Sequence, residues 1–167
     1  AARFSCPTSD AEYVAIVGGF TAATGPSQIA GTSPTSVIEV YNPESRFDAT
    51  AGNAYRVVRN GAGLAQARAF ATVVSLELSA DLLVVGGVDG SGNVLGTAER
   101  FFNNWDPCET LVGPTAVSGF GTPRAHANAF TLPSRAVMVT AGTDGSSSLE
   151  SSVFFNPDDY YLVREVY

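Results

Sequence analysis

Apolar residues in this chain gather in short runs that stop at glycine. Val14-Ala15-Ile16-Val17 runs into Gly18-Gly19, Leu82-Leu83-Val84-Val85 into Gly86-Gly87, and a weaker Ala136-Val137-Met138-Val139-Thr140 into Ala141-Gly142. Runs of this length, rich in β-branched residues and bounded by turn formers, read as buried strands, and the glycine behind each permits positive φ or close backbone approach. Each run is second in an ordered set: an Arg after a small residue or Pro, the run ending in Gly, then a short strand ending in an aromatic and a turn. Arg3, Arg68 and Arg124 are separated by 65 and 56 residues, and Gly18, Gly86 and Ala141 by 68 and 55, which suits a unit of about 50 residues with elastic loops. The pattern predicts twelve strands, at 1–6, 12–19, 36–42 and 54–60, at 66–76, 81–87, 96–103 and 108–112, and at 124–132, 135–142, 149–156 and 159–166. The expected fold is all-β: three four-stranded antiparallel sheets in a single domain, 1–167, with units at 1–62, 63–119 and 120–167.

Composition agrees with short strands and many turns. Of 167 residues, 45% are hydrophobic and 15% charged, with 17 Gly and 9 Pro. The nine basic residues are all Arg, and 16 carboxylates leave a net charge of -7, which repels a phosphate backbone, so no nucleic-acid partner is expected. No apolar stretch reaches the roughly 18 residues a membrane-spanning helix requires. The start at Ala1-Ala2-Arg3 suits a processed chain or an excerpt of a longer one. Cys6 and Cys108 leave two readings open, a disulfide formed in an oxidising compartment or two unrelated buried thiols.

The ordered marks resemble the kelch motif: an Arg-led strand, a strand ending in Gly-Gly, a strand carrying Glu and Tyr before Asp-Pro, and a strand marked by Trp. The third strands read Glu39-Val40-Tyr41-Asn42-Pro43, Glu99-Arg100-Phe101-Phe102-Asn103 and Val153-Phe154-Phe155-Asn156-Pro157, and Tyr55, Trp105 and Tyr161 stand near the Trp position. The resemblance covers nearly the whole chain and implies propeller blades. Propellers close with about 4 to 8 blades. Three therefore imply further blades, from a longer parent chain, which we favour, or from a second copy completing a six-bladed ring.

By the same resemblance the Arg-led strand lines a central channel and the loop after Gly-Gly opens at its mouth. The candidate binding residues are then Arg3, Arg68 and Arg124, with Phe20 and the long loop 21–36, Asp89 to Asn93, Asp144 to Ser148, and the single histidine, His126. Arginines around a concave mouth suit carboxylates; the competing reading has each Arg bonding blade backbone and holding sheets together. The long loop reads equally as a binding segment or a tolerated insertion. Asp89-Gly90-Ser91-Gly92-Asn93 lacks the spaced carboxylates of a calcium loop and the third glycine of a dinucleotide fingerprint, and reads as a turn. One His and no cysteine cluster offer no metal set, so no catalytic residue, metal or cofactor is expected.

We therefore expect a non-enzymatic binding or structural module facing a protein or glycan partner, extracellular or at the cell surface. The alternative is a segment of a carbohydrate-active kelch propeller, galactose-oxidase-like or sialic-acid-mutarotase-like, whose chemistry lies largely outside this chain.

Overall fold

The computed structural model describes residues 1–6, 12–21, 33–42, 56–59, 63–76, 80–103, 110–118, 120–157 and 161–166, with backbone alone for 56–59 and 161–166. Every regular element among them is a strand. The first sheet runs β1 (Ala2–Ser5), β2 (Glu12–Val17), β3 (Ile38–Asn42), β4 (Arg56–Arg59); the second β5 (Thr72–Leu76), β6 (Asp81–Val85), β7 (Ala98–Asn103), β8 (Leu111–Val117); the third β9 (Asn128–Thr131), β10 (Val137–Thr140), β11 (Ser152–Asn156), β12 (Tyr161–Val166). Each sheet is antiparallel with its strands side by side in chain order. The first strands adjoin across sheets, β1 against β5 and β5 against β9. Thr72 Oγ1 donates to Ala127 O at 2.6 Å and Thr131 Oγ1 to Ser75 O at 2.9 Å, tying the second blade to the third along that inner seam. These are blades of a partial propeller.

Burial explains why the three apolar runs look alike in sequence yet behave differently. β6 is buried at all five positions because the middle blade is covered on both faces, whereas β10 alternates between buried and half-buried and β2 exposes Ile16 at 46%. One core layer lies between the first and second blades, around Ala15, Ile38, Val40, Leu82, Val84 and Phe101. The other lies between the second and third, around Leu83, Val85, Val137, Val139, Val153 and Phe155. Leu82 and Val84 thus face the first blade while Leu83 and Val85 face the third, as the period-2 alternation of a strand requires.

Three strands differ from the sequence reading for local reasons. The inner strands expected at 66–76 and 124–132 begin only at Thr72 and Asn128, because Phe70 (φ 54°) and His126 (φ 56°) turn left-handed and interrupt the extended run. The strand expected at 108–112 instead spans Leu111–Val117 and includes Gly113-Pro114. It is the outermost strand of its sheet, where a residue without an N–H is tolerated.

Candidate functional site

Register places the arginines in two classes. Thr72 pairs with Val85, just ahead of Gly86, so Arg68 sits four residues before β5; Asn128 pairs with Thr140, just ahead of Ala141, so Arg124 sits four residues before β9. Arg3 lies inside β1 opposite Val14, and Val14, like Leu82 opposite Ser75, is four residues ahead of its glycine. Arg3 is therefore the counterpart of Ser75, not of Arg68.

Arg68 and Arg124 are each 1% exposed, and their guanidinium groups turn into their own blades. Arg68 donates through Nη1 to Gly86 O (2.9 Å) and Thr97 O (3.1 Å), and through Nη2 to Thr97 Oγ1 (3.2 Å) and the Glu99 carboxylate. Arg124 repeats the plan: Nη1 to Ala141 O (3.2 Å) and Ser151 O (3.3 Å), Nη2 to Ser151 Oγ (3.2 Å). Burial lowers the Arg68 pKa from its ordinary value, and the adjacent Glu99 charge and hydrogen bond oppose that shift. Glu99 Oε2 also accepts from Ala65 N at 2.8 Å, so one carboxylate fixes both the guanidinium and the loop that delivers it. Arg68 and Arg124 do not line a mouth: a blade's free carbonyls behind its glycine offer them a better-matched set of acceptors than solvent does.

The arginine backbone does the inter-blade work. Arg68 O accepts from Gly19 N at 3.0 Å and Arg124 O from Gly87 N at 2.9 Å, so each carbonyl lies against the preceding blade. A Cβ on Gly18 would come within 2.3 Å of Arg68 O, and one on Gly86 within 1.9 Å of Arg124 O. Here the glycine is required by contact as well as by φ.

The loops also bring three rings together. Phe20 of the first blade meets Phe70 of the second edge-on (centroids 5.3 Å), and Phe70 meets His126 of the third at 4.2 Å. Phe70 is 38% exposed and His126 is exposed. Both hold left-handed backbone, unusual for non-glycine residues, and His126 N donates to Phe70 O at 3.1 Å. Phe20 and His126 were legible as candidates; Phe70, which joins them, was missed, although it stands two residues after Arg68 as His126 does after Arg124.

The remaining candidates are not drawn into this row by the contacts they make. Asp89 accepts through Oδ1 from Ser91 N (2.8 Å) and Asn93 N (2.9 Å) and through Oδ2 from Asn93 Nδ2 (3.0 Å). Asp144 Oδ1 accepts from Ser146 N (2.7 Å) and Ser147 N (2.8 Å). Both carboxylates are held below the ordinary carboxylate range, Asp89 chiefly by the Asn93 side chain and Asp144 chiefly by the Ser147 amide. Each closes its own turn. Arg3, 70% exposed and paired with Glu12 at 2.8 Å, borders a cavity of about 510 Å³ where β1, β5 and β9 converge, together with Ser5, Ser75, Phe130 and Thr131. Cys6 is buried and disulfide-bonded. Cys108, Tyr55, Trp105 and residues 22–32 of the long loop lie outside the described residues. Among the described residues no group of three or more His, Cys, Asp or Glu could hold a metal ion.

No family model matches the chain, and no curated protein matches it. Solved structures do. A fungal alcohol oxidase of the AA5 family, in complex with copper, aligns with a TM-score of 0.59 at 11% identity, over 77% of this chain and 27% of the oxidase. YjhT aligns with a TM-score of 0.61 at 11% identity, over 92% of this chain and 42% of its own. The chain thus spans less than half the length of either, and at this identity the likeness shows a fold: a kelch-like β-propeller, of which these sheets are a part.

Proposed function

We propose that this chain is a non-enzymatic kelch-type binding module whose loop face receives a glycan. The observation that carries the reading is the row Phe20, Phe70 and His126. Three rings from three blades touch in sequence, and two sit on left-handed backbone that costs free energy and persists only where the surroundings enforce it. The π faces of such rings carry negative charge that suits the polarised C–H groups of a sugar ring, and rigid aromatics lose little conformational entropy on binding. The disulfide at Cys6 supports an extracellular or cell-surface setting. The test is a glycan array followed by calorimetry with Phe70→Ala and His126→Ala chains. We expect both substitutions to weaken the selected glycan at least tenfold. Capture of a protein ligand with no glycan bound would sink the glycan reading, and a ligand indifferent to both substitutions would move the site elsewhere.

The likeness to a copper-bound alcohol oxidase favours one second reading, a segment of a carbohydrate-active propeller enzyme completed by residues outside this chain. Oxidase and sugar-anomer exchange assays on the intact parent molecule, with copper supplied, distinguish it.

A further inference from the structure

The two blade junctions share one plan, and the outer face of the third blade departs from it. Gly18-Gly19 and Gly86-Gly87 each meet the blade that follows: Gly19 N donates to Arg68 O at 3.0 Å and Gly87 N to Arg124 O at 2.9 Å, while a Cβ on Gly18 or Gly86 would stand 2.3 or 1.9 Å from the same carbonyl. Ala141-Gly142 is the third blade's copy of the pair. Ala141 holds φ 59° against 64° at Gly18 and Gly86, and Gly142 holds φ 96° against 104° at Gly19 and 100° at Gly87. Gly142 O accepts from Leu149 N at 2.8 Å as Gly87 O does from Leu95 N. Ala141 therefore carries its methyl where the first two blades leave room for the next blade's carbonyl. The strand face leading to it differs as well. Val17 with Ile38, and Val85 with Ala98, pack against the following blade, whereas the counterpart row of the third blade is Asn128, Thr140 and Ser152, with Ser152 Oγ donating to Thr140 Oγ1 at 2.9 Å.

We propose that the outer face of the third blade is a break in the repeat: no further blade follows it through the arginine-carbonyl junction that joins the other blades, because the Ala141 methyl takes the carbonyl's place. Non-bonded carbon and oxygen stay at least 3.0 Å apart, so a carbonyl arriving there must stand off by roughly 1 Å, which carries it out of hydrogen-bond range of Gly142 N. That carbonyl belongs to backbone, so no side chain can swing to admit it. Phe130, 52% exposed, shares this face with Met138 and Phe154, and a partner that covers this apolar row does so without seating at the glycine corner. The break also ends the row of rings. Phe20 meets Phe70, and Phe70 meets His126, each across a junction that has the carbonyl contact. Phe70 and His126 each stand two residues after the arginine that supplies the carbonyl. With that contact closed at Ala141, His126 is the terminal ring, whatever the row binds.

Duplication of the third blade supplies the experiment. Val117 pairs with Ala98 and Val166 with the counterpart Ser152, so residues 118–167 repeated directly after Val166 bring a second Arg124 to the outer face at the spacing found between Val117 and Arg124. The extended chain is made with Ala141 and with Ala141→Gly in the first copy alone, and amide exchange at Gly142 is followed by NMR with isotope label confined to that copy. Exchange is expected to be slower by about tenfold or more in the Ala141→Gly chain, where Gly142 N gains the added blade's carbonyl. An extended chain with Thr140→Val and Ser152→Ala, Ala141 retained, is expected to exchange as fast as the extended chain without substitutions. Equal exchange in the Ala141 and Ala141→Gly chains, whether both fast or both slow, would overturn the proposal. So would slow exchange restored by Thr140→Val and Ser152→Ala alone, which assigns the barrier to polarity, or slow exchange on Ala141→Gly without the added blade, which confines the effect to the third blade itself.

Discussion

Gly86→Ala isolates the contact that sets the blade spacing. The added methyl would lie 1.9 Å from Arg124 O, a backbone atom that accepts from Gly87 N and belongs to a residue whose guanidinium is bound to Ala141 O and Ser151. Nothing at the far end of a flexible side chain can swing aside, so one blade must shift by more than an ångström. An L residue in left-handed backbone costs about 1–2 kcal/mol, overpacking a close-packed junction about 1–3, and the strained Gly87 hydrogen bond about 1. The sum, roughly 3–6 kcal/mol, is a large share of the roughly 5–15 kcal/mol that holds a domain folded. Ala141 is the internal control: it occupies the counterpart position with φ 59°, against 64° at Gly86, and already carries the methyl. Ala141→Gly is expected to melt at or slightly above the wild-type temperature, because relief of left-handed strain is offset by the entropy glycine adds to the unfolded chain. Urea and thermal denaturation followed by circular dichroism measure both. A Gly86→Ala chain within about 1 kcal/mol of wild type would refute the reasoning, because left-handed φ would then be the whole requirement and blade contact none of it.

Glu99→Gln leaves the buried Arg68 guanidinium without its counter-charge and should cost about 3–5 kcal/mol in urea denaturation; a loss under about 1 kcal/mol would mean the carbonyls alone hold the arginine. Asp89 and Asp144 have folded pKa values depressed below 3.8, so their contribution is present above pH 3.8 and is lost as pH falls through the lower folded values. Carboxyl carbon shifts should titrate with midpoints below 3.8 and amide protection at Asn93 and Ser147 should fall in step; midpoints at or above 3.8 contradict the turn geometry. Phe70→Gly should keep or raise stability by relieving its left-handed backbone while removing the central ring of the row, so that glycan binding falls at least tenfold in a chain that melts no earlier than wild type. A chain that melts earlier shows Phe70 to be packing rather than presenting.

Strand order and sheet count follow from the apolar runs and their glycines, because burial on two faces, or on one, demands a continuous or alternating apolar stretch whichever residues supply it. The limits of the inner strands did not follow, because Phe70 and His126 are not residue types that announce left-handed backbone, and nothing local marks Gln66-Ala67-Arg68-Ala69 as loop rather than strand. Phe70 escaped notice for the same reason. Its importance comes from Phe20 and His126, 50 and 56 residues away, and only the docking of three blades makes these one row.

The arginines show why a shared mark does not by itself assign a role. Arg3, Arg68 and Arg124 all follow a small residue or Pro and precede an apolar run, but counting back from the glycine separates them: the paired strands place Arg3 with Ser75 and Thr131, inside the inner strand and beside the cavity where β1, β5 and β9 converge. Arg68 and Arg124 lie seven residues ahead of Ser75 and Thr131, and their guanidinium groups bond the carbonyls of their own blades. Distance to the glycine is therefore the informative variable, and identity is not. The same count places Glu39 opposite the residue two before its glycine, where in the second blade Glu99 meets Arg68 and where Val153 leaves the third blade without a carboxylate.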